Sequence, residues 1–144
     1  MTLKIEAFRA VHVDLLFAGG VQASQISLAP SSGISLAGLP GYALTAWADG
    51  RVIMCGGVVP FAPWLGTLWA ILSKDAGRHM VPLHKASRRF LASLPYRRLE
   101  ASAPRCFPAG CRFLELLHFT PEGVSEAYGE DGEDHLRYAR VRRG

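Results

Sequence analysis

Two histidines at the start of a predicted helix are the side chains best suited to proton transfer. His79 and His84 can titrate near neutral pH and could serve as an acid or a base. A surface histidine beside a helix start is the commoner case, so both interpretations stay open. No P-loop, HExxH, GxSxG or dinucleotide-type glycine pattern accompanies them, and the sequence therefore lacks these enzyme signatures.

The three cysteines, Cys55, Cys106 and Cys111, are the next candidates for chemistry. An odd number without a CxxC pair argues against a disulfide framework and against a zinc site. No activating partner stands beside Cys106 or Cys111 in the sequence, so we expect small, buried, reduced thiols and no metal site.

The composition is that of a basic globular domain. The 144 residues are 49% hydrophobic and 19% charged, and 16 basic against 12 acidic side chains give a net charge of +4. The positive charge is spread over two places in the sequence without an aromatic stacking motif, so nucleic-acid binding is not expected. The N-terminus is too polar for a signal peptide, and we expect one domain over residues 1–144.

The uncharged run Val52–Ser73 is long enough to span a bilayer. Pro60 and Pro63 would break a helix in its middle, so two buried strands joined by a proline-rich loop are expected and no membrane span. Phe61 and Trp64 lie in this loop. They are either core residues or, if exposed, an anchor for a protein partner.

Apolar periodicity predicts the order strand, helices, three strands, helix, strand, helix and two strands. The predicted strands are Thr2–Phe8, Tyr42–Ala48, Arg51–Val59, Leu65–Leu72, Arg97–Ser102, Gly123–Tyr128 and His135–Val141. The predicted helices are Val11–Phe17, Val21–Leu28, Pro82–Leu94 and Pro108–Leu117, and Ala29–Gly41 is a surface connection or a partly helical insert. Asp49-Gly50 predicts a two-residue hairpin, and Gly56-Gly57 predicts a bulge or a close backbone approach.

The segment Arg112–Gly123 is a short amphipathic helix that ends abruptly. Phe113, Leu116 and Leu117 recur at helical spacing and predict its apolar face. A Thr-Pro-Glu-Gly turn is expected after it, because Pro121 cannot continue a helix.

This segment resembles the signature helix of the GNAT superfamily of N-acetyltransferases, roughly Phe-Tyr-Glu-x-Leu-Gly-Phe followed by a turn with glycine. The matching residues are Phe113, Glu115, Leu117, Phe119 and Gly123. The resemblance implies a GNAT-like α/β (α+β) fold. Its central mixed, mostly antiparallel sheet has six to seven strands and is flanked by about four helices.

The resemblance also implies a site for acetyl-CoA at the end of the fourth strand. The backbone of Ala70, Ile71 and Leu72 would hold the pantetheine arm. The residues implied for the pyrophosphate are Lys74, Gly77, Arg78 and His79. A helix N-terminus preceded by a glycine-rich loop holds phosphate groups well. Glu100 and His79 are the candidates for the base that an acyl transfer needs. The alternative is that Glu100 is a solvated glutamate on a strand and that His79 is a surface histidine.

Four features depart from the GNAT pattern. Leu114 stands where the frequent catalytic tyrosine would be, and His118 where the helix-ending glycine would be. Phe107 stands at a position where many members carry asparagine. The loop over Ser73–Met80 has one glycine, and Asp75 brings a negative charge to it. A plain strand-to-helix turn is therefore the leading interpretation of this loop.

Several blocks resemble the GNAT-like proteins of tailed bacteriophages, some of which are related to internal virion proteins of short-tailed phages. The blocks are Ala46–Gly50, the Trp-rich fourth strand, Arg88–Leu91, Pro95–Ala101, Tyr128–Gly129 and Tyr138–Arg140. The resemblance implies a virion-associated or assembly protein with a degenerate acetyl-CoA site, located in the virion or the host cytoplasm, with other virion proteins as partners. The alternative is an active acetyl-CoA-dependent N-acetyltransferase acting on an amine. Assembly of several copies of the chain is left open.

Overall fold

The computed structural model describes residues 3–22 and 41–143. Its strands are β1 Lys4–Ala7, β2 Tyr42–Ala48, β3 Arg51–Ala62, β4 Leu65–Leu72, β5 Arg98–Pro104, β6 Thr120–Ser125 and β7 His135–Val141. The described α-helices are α1 Ala10–Gly19, α2 Met80–Ala92 and α3 Pro108–Leu116, and a short 3-10 helix spans Ala76–His79. The predicted helix Val21–Leu28 and the predicted connection Ala29–Gly41 lie, apart from Val21, Gln22 and Gly41, outside the described residues.

The seven strands form one sheet in the order β1-β2-β3-β4-β5-β7-β6. Strands β4 and β5 are parallel, whereas β1–β2, β2–β3, β5–β7 and β6–β7 are antiparallel. The expected mixed α/β fold with six to seven strands is therefore confirmed, with three α-helices among the described residues instead of about four.

Two compact units share these elements. The first contains the described residues up to Val59 together with Trp69–Lys85, and the second contains Pro60–Leu68 and the described residues from Ala86 on. Strands β3 and β4 and helix α2 contribute to both. The expectation of one domain over the whole chain stays a prediction.

The first unit has two clusters of buried side chains. In one of them, Val13 and Leu16 of α1 pack with Cys55 of β3 and Ile71 of β4. The other cluster contains Leu83 of α2 together with Ala46, Ala48, Ile53 and Ala76. Helix α1 is thus held on the sheet by Val13 and Leu16, which lie three residues apart on one face. The loop after β4 is held by the buried Ala76.

The β2–β3 hairpin follows its sequence closely. Asp49 and Gly50 have φ angles of 51° and 75°, as the two positions of a type I′ turn require. Gly57 lies opposite Ala43 in the ladder, where an added Cβ would come within 2.4 Å of the Tyr42 carbonyl oxygen. The predicted close backbone approach is therefore confirmed at Gly57.

The proline-rich loop is shorter than predicted. Strand β3 continues through Pro60 and Phe61 to Ala62, and only Pro63 and Trp64 form the turn to β4. The two side chains are not core residues, since Phe61 is 83% exposed and Trp64 is 52% exposed. Within the described residues, no helix is long and apolar enough to cross a membrane.

In the second unit, the segment around α3 differs from its prediction in two ways. The buried side of the helix is formed by Cys111 and Leu114 and is continued by Leu117, whereas Leu116 is 44% exposed. The expected turn after the helix is absent, because β6 already begins at Thr120. Pro121 is tolerated there because β6 is an edge strand and is irregular between Pro121 and Gly123.

The cysteines are free, but they are not all buried. Cys55 and Cys111 are buried, and Cys106 is exposed in the turn between β5 and α3. Burial raises the pKa of the Cys55 thiol to about 11, so this side chain is a packing residue and no thiolate nucleophile.

Candidate functional site

The seven residues implied for a cofactor all lie in the first unit. Ala70, Ile71 and Leu72 are the last residues of β4, and Lys74, Gly77, Arg78 and His79 follow in the connection to α2. Neither of the cations Lys74 and Arg78 forms an ion pair within the described part of the chain.

Both edges of β4 are occupied at its end. The Ser73 N–H donates to the Ile53 carbonyl on the β3 side. Because N–H and C=O groups alternate along a strand, the neighbouring residues point to the opposite edge. There the Leu72 carbonyl accepts the Gln22 N–H at 2.9 Å, and the Lys74 N–H donates to the Gly20 carbonyl at 3.0 Å. The segment around Val21 pairs with Ser73, and the Leu72 carbonyl is therefore already hydrogen-bonded within the protein.

Several N–H groups of the loop after β4 are bonded within the loop itself. The Asp75 N–H donates to the Ser73 hydroxyl at 3.1 Å, and the Ala76 N–H donates to the Ser73 carbonyl at 3.0 Å. The Arg78 N–H donates to the Asp75 carbonyl at 3.2 Å, and the Met80 N–H donates to Gly77. A loop that cradles phosphate must direct such N–H groups at the anion. Here four of them are bonded within the turn.

His79 differs from the other cofactor candidates, because it is buried. Its side chain is 6% exposed, and Nδ1 has no hydrogen-bond partner within the described residues. An unsatisfied buried polar atom costs about 1–3 kcal/mol. His79 lines a pocket of about 590 Å³ between the end of α1, the β2–β3 hairpin and the loop after β4. The charged residues of its wall are Asp49, Arg51, Asp75 and Arg78.

Glu100, the second candidate base, lies on β5 in the second unit and is held by an ion pair. Its Oε2 accepts a hydrogen bond from Arg98 Nε at 2.9 Å, and Arg98 also pairs with Glu122. Hydrogen bonding to Arg98 lowers the pKa of Glu122. The hydrogen bond from Arg98 makes Glu100 a structural partner of that guanidinium.

Leu114 and His118 have structural roles at the end of α3. The Phe119 N–H donates to the Leu114 carbonyl and the His118 N–H to the Glu115 carbonyl, each at 3.0 Å. These bonds form a Schellman motif, in which the residue after the C-cap takes a left-handed conformation. His118 has a φ of 69° and occupies that position. Leu114 and Phe119 are buried, at 6% and 2% exposure, and occupy the two positions that often make a hydrophobic contact in this motif.

Replacement of His118 by glycine is expected to raise the free energy of unfolding by about 1 kcal/mol, because glycine adopts a positive φ without strain. Urea unfolding of the two proteins at one pH measures the difference. His118→Ala removes the imidazole but keeps the strained conformation, so it serves as the control. Equal stabilisation by alanine and glycine would show that the imidazole, and not the backbone, is responsible.

A line of polar side chains in the first unit, from the partly exposed Glu6 to the buried His12 and Thr45, was not anticipated from the sequence. His12 Nε2 lies 3.0 Å from Glu6 Oε1, and His12 Nδ1 lies 2.7 Å from the Thr45 hydroxyl. Trp47 Nε1 also donates to Glu6 at 3.0 Å. Carboxylate, imidazole and hydroxyl stand in the order of a hydrolase triad. However, Thr45 is fully buried, so no substrate can reach the hydroxyl.

The Arg9 N–H donates to His12 Nδ1 at 3.0 Å, which satisfies a backbone group at the start of α1. An N–H can only donate, so Nδ1 accepts and the ring proton lies on Nε2, facing Glu6. Protonation of Nδ1 would break the bond to Arg9. Two side chains on separate strands, Glu6 and Thr45, thus hold a neutral histidine that caps a helix.

Folding stability is expected to fall as the pH drops below about 6.5, because burial lowers the pKa of His12 in the folded protein. The unfolded chain then binds a proton that the folded chain does not. The urea midpoint should therefore be lower at pH 5 than at pH 7. His12→Gln keeps an acceptor for Arg9 without titrating and should show a smaller decrease. The same decrease in both proteins would assign it to other groups.

Among the described residues, no group of three His, Cys, Asp or Glu side chains is placed to hold a metal ion. No protein-family model matches the sequence, and no curated protein matches it.

Solved structures match almost the whole chain. Ard1 from Thermoplasma volcanium has a TM-score of 0.80 at 12% identity, and the match covers 100% of both chains. The ribosomal-protein-S18-alanine N-acetyltransferase from Escherichia coli has a TM-score of 0.78 at 16% identity, with 99% of this chain and 97% of that one covered. An acetyltransferase of the GNAT family from Streptococcus pneumoniae has a TM-score of 0.69 at 18% identity, with 98% and 100% covered. At these identities the likeness establishes a common fold.

Proposed function

We propose that this chain, which has the GNAT fold, is a docking domain of a tailed-bacteriophage particle and that its acetyl-CoA site is degenerate. The observation that carries the proposal is the self-bonded loop after β4. The N–H groups of Asp75, Ala76, Arg78 and Met80 are bonded within the turn, and Pro82 has none to offer.

The pantetheine positions support the same conclusion. The Leu72 carbonyl accepts the Gln22 N–H, so a pantetheine amide would have to displace the chain's own segment to reach it. Such an exchange loses as many hydrogen bonds as it makes, which leaves little net free energy for binding.

The proton-transfer positions support it as well. Leu114, in place of the acid tyrosine, is a buried apolar side chain at the end of α3. Glu100 is bonded to Arg98, and deprotonation of an amine by this carboxylate would first have to break that ion pair. Leu114 carries no proton to donate, and Glu100 could act as a base only after this rearrangement.

Docking is supported by the exposed aromatic tip of the β3–β4 hairpin. Phe61 is 83% exposed, so most of the apolar surface of its ring is in contact with solvent in the isolated chain. Aromatic anchors of this kind contribute strongly to protein interfaces. The partner we propose is another protein of the particle, which the phage resemblance implies.

An acyl-transfer assay tests the degenerate site. The purified chain is incubated with acetyl-CoA and a panel of primary amines, and free CoA is measured with a thiol reagent. We expect no release above the rate without protein, while an active GNAT enzyme in the same buffer releases CoA. Release that depends on both the chain and an amine would overturn the proposal.

The particle location is tested by mass spectrometry of purified virions from a phage that encodes the chain. We expect the chain at a fixed ratio to the other particle proteins, and a lower ratio for Phe61→Ser because its docking anchor is lost. Absence from virions that contain all other expected proteins would contradict the location.

An active acetyl-CoA-dependent N-acetyltransferase is the second candidate, and the unpartnered Nδ1 of His79 in its pocket favours it. Nδ1 would have to turn toward the pocket that His79 lines before it could accept a proton from an amine. Under this candidate, His79→Gln lowers kcat by about 100-fold or more, the usual contribution of a general base.

A further inference from the structure

The second unit brings together positive charges that are far apart in the sequence. The Arg98 N–H donates to the Trp64 carbonyl at 3.0 Å, and the Arg142 N–H donates to the Arg97 carbonyl at 2.8 Å. The Arg142 guanidinium also donates to the Leu94 carbonyl at 3.1 Å. The hairpin tip, the residues after α2, the start of β5 and the end of β7 therefore meet at one end of this unit.

We call this region the arginine end. It consists of Trp64 and of Arg88, Arg89, Arg97, Arg140, Arg142 and Arg143. Arg140 is less exposed than the other five arginines and lies opposite Leu99 in the β5–β7 ladder. Burial, then Arg142, then Arg88 lower the pKa of Arg140, which places these guanidinium groups within electrostatic reach of one another.

No carboxylate neutralises this charge in the part of the chain that the structure describes. Within residues 3–22 and 41–143, no acidic side chain lies within 4.0 Å of any of the six guanidinium groups. The neighbouring Arg98 is different, because it is paired with both Glu100 and Glu122. Unpaired like charges repel each other, and an anionic ligand bound at the arginine end would reduce this repulsion.

We infer that the arginine end binds single-stranded nucleic acid, with arginines on the phosphates and Trp64 available to stack on a base. The guanidinium fork matches phosphate oxygens in geometry and charge. Trp64 is 52% exposed beside this charge, and an exposed aromatic ring in a basic surface is the usual platform for a base. An acidic protein would also satisfy the charges, and titration with polyglutamate distinguishes it from a nucleic acid.

The sequence gives no reason to expect nucleic-acid binding, because its positive charge lies in two separate places without an aromatic stacking motif. The fold joins the block around Arg88 and Arg97 with the block around Arg140 and places Trp64 beside them, which the order of residues does not reveal. The inference does not depend on the proposed function, because Phe61 stays available to a protein and the loop after β4 is not involved.

Fluorescence anisotropy with a labelled oligothymidylate of about twelve nucleotides tests the inference. We expect a Kd of about 1–100 µM near physiological salt, and a plot of log K against log salt with a slope of about −3. Arg88→Gln with Arg140→Gln should weaken binding at least about five-fold and make the slope less negative by about 1.4. Neither side chain forms a hydrogen bond within the described residues, so we expect the double variant to fold.

The control removes the same charge elsewhere in the second unit. Arg105 and Arg112 are exposed, and Arg105 follows the opposite end of β5. Arg105→Gln with Arg112→Gln should leave the Kd within about two-fold of the unaltered protein. An equal loss in both double variants would overturn the inference, because net charge alone would then explain binding.

Trp64→Ala separates a nucleic acid from other polyanions. It should weaken oligothymidylate about five-fold or more and leave inorganic polyphosphate, which has no bases, unchanged. Binding of polyglutamate without binding of oligothymidylate would assign the arginine end to an acidic protein and overturn the inference. Absence of oligothymidylate binding at low salt would overturn it as well.

Discussion

Replacement of Leu114 by alanine is expected to lower the free energy of unfolding by about 2–5 kcal/mol, the range for truncating a buried leucine. Leu114 is 6% exposed and lies at the start of the Schellman motif that ends α3. Truncation of this buried side chain would leave a cavity at the end of α3. Urea unfolding followed by circular dichroism measures the loss.

Leu116→Ala is the matched control, because it makes the same chemical change two residues further along. Leu116 is 44% exposed, so its truncation should change the free energy of unfolding by about 0.5 kcal/mol or less. Equal losses at the two positions would mean that α3 does not bury the side that contains Leu114. The position would then be open for a catalytic side chain after all.

Replacement of Gly57 by alanine should destabilise the protein by about 1–3 kcal/mol, the range for overpacking. The new Cβ would lie 2.4 Å from the Tyr42 carbonyl oxygen and 2.8 Å from Ala43 Cβ. These atoms belong to the neighbouring strand β2 or are fixed to its backbone, so they cannot rotate away. The β2–β3 ladder would have to shift to make room.

Gly77→Ala provides the comparison at a glycine without this restriction. A Cβ at Gly77 would meet nothing within 4 Å, and Gly77 lies in the short helix before α2. Alanine there should be neutral or stabilise by up to about 1 kcal/mol. Thermal unfolding of both variants distinguishes crowding at Gly57 from a general effect of losing a glycine.

Elements defined by local sequence patterns were predicted well. The ranges of β2 and β4 agree with their predicted ranges residue for residue. The Asp49-Gly50 turn was predictable, because few dipeptides tolerate two successive positive φ angles. In each case the determining interaction lies within a few residues of the chain.

Features that depend on distant residues were missed. The apolar periodicity of α3 fits two faces, and only packing in the second unit selects the side of Leu114 over that of Leu116. A turn is expected at Thr120 and Pro121 because proline cannot continue a helix, yet pairing with β7 extends β6 over them. Tertiary pairing overrides local preference at such positions.

The sequence predicts which candidate residues lie close together, but it does not predict which hydrogen bonds they form. Its residues from Ala70 to His79 are contiguous, so the sequence placed them together. Two of these bonds depend on how the chain folds: Gln22 bonds to Leu72 of another segment, and Arg98 bonds to Glu100. The line from Glu6 through His12 to Thr45 left no sequence signal for the same reason, since its members come from β1, α1 and β2.

Calorimetric titration with acetyl-CoA is the most direct test of the central claim, a GNAT fold with a degenerate cofactor site. The self-bonded loop after β4 and the occupied carbonyl of Leu72 predict no binding heat up to about 1 mM ligand. An active GNAT enzyme titrated in the same buffer serves as the positive control. Binding of acetyl-CoA at micromolar affinity would contradict the account.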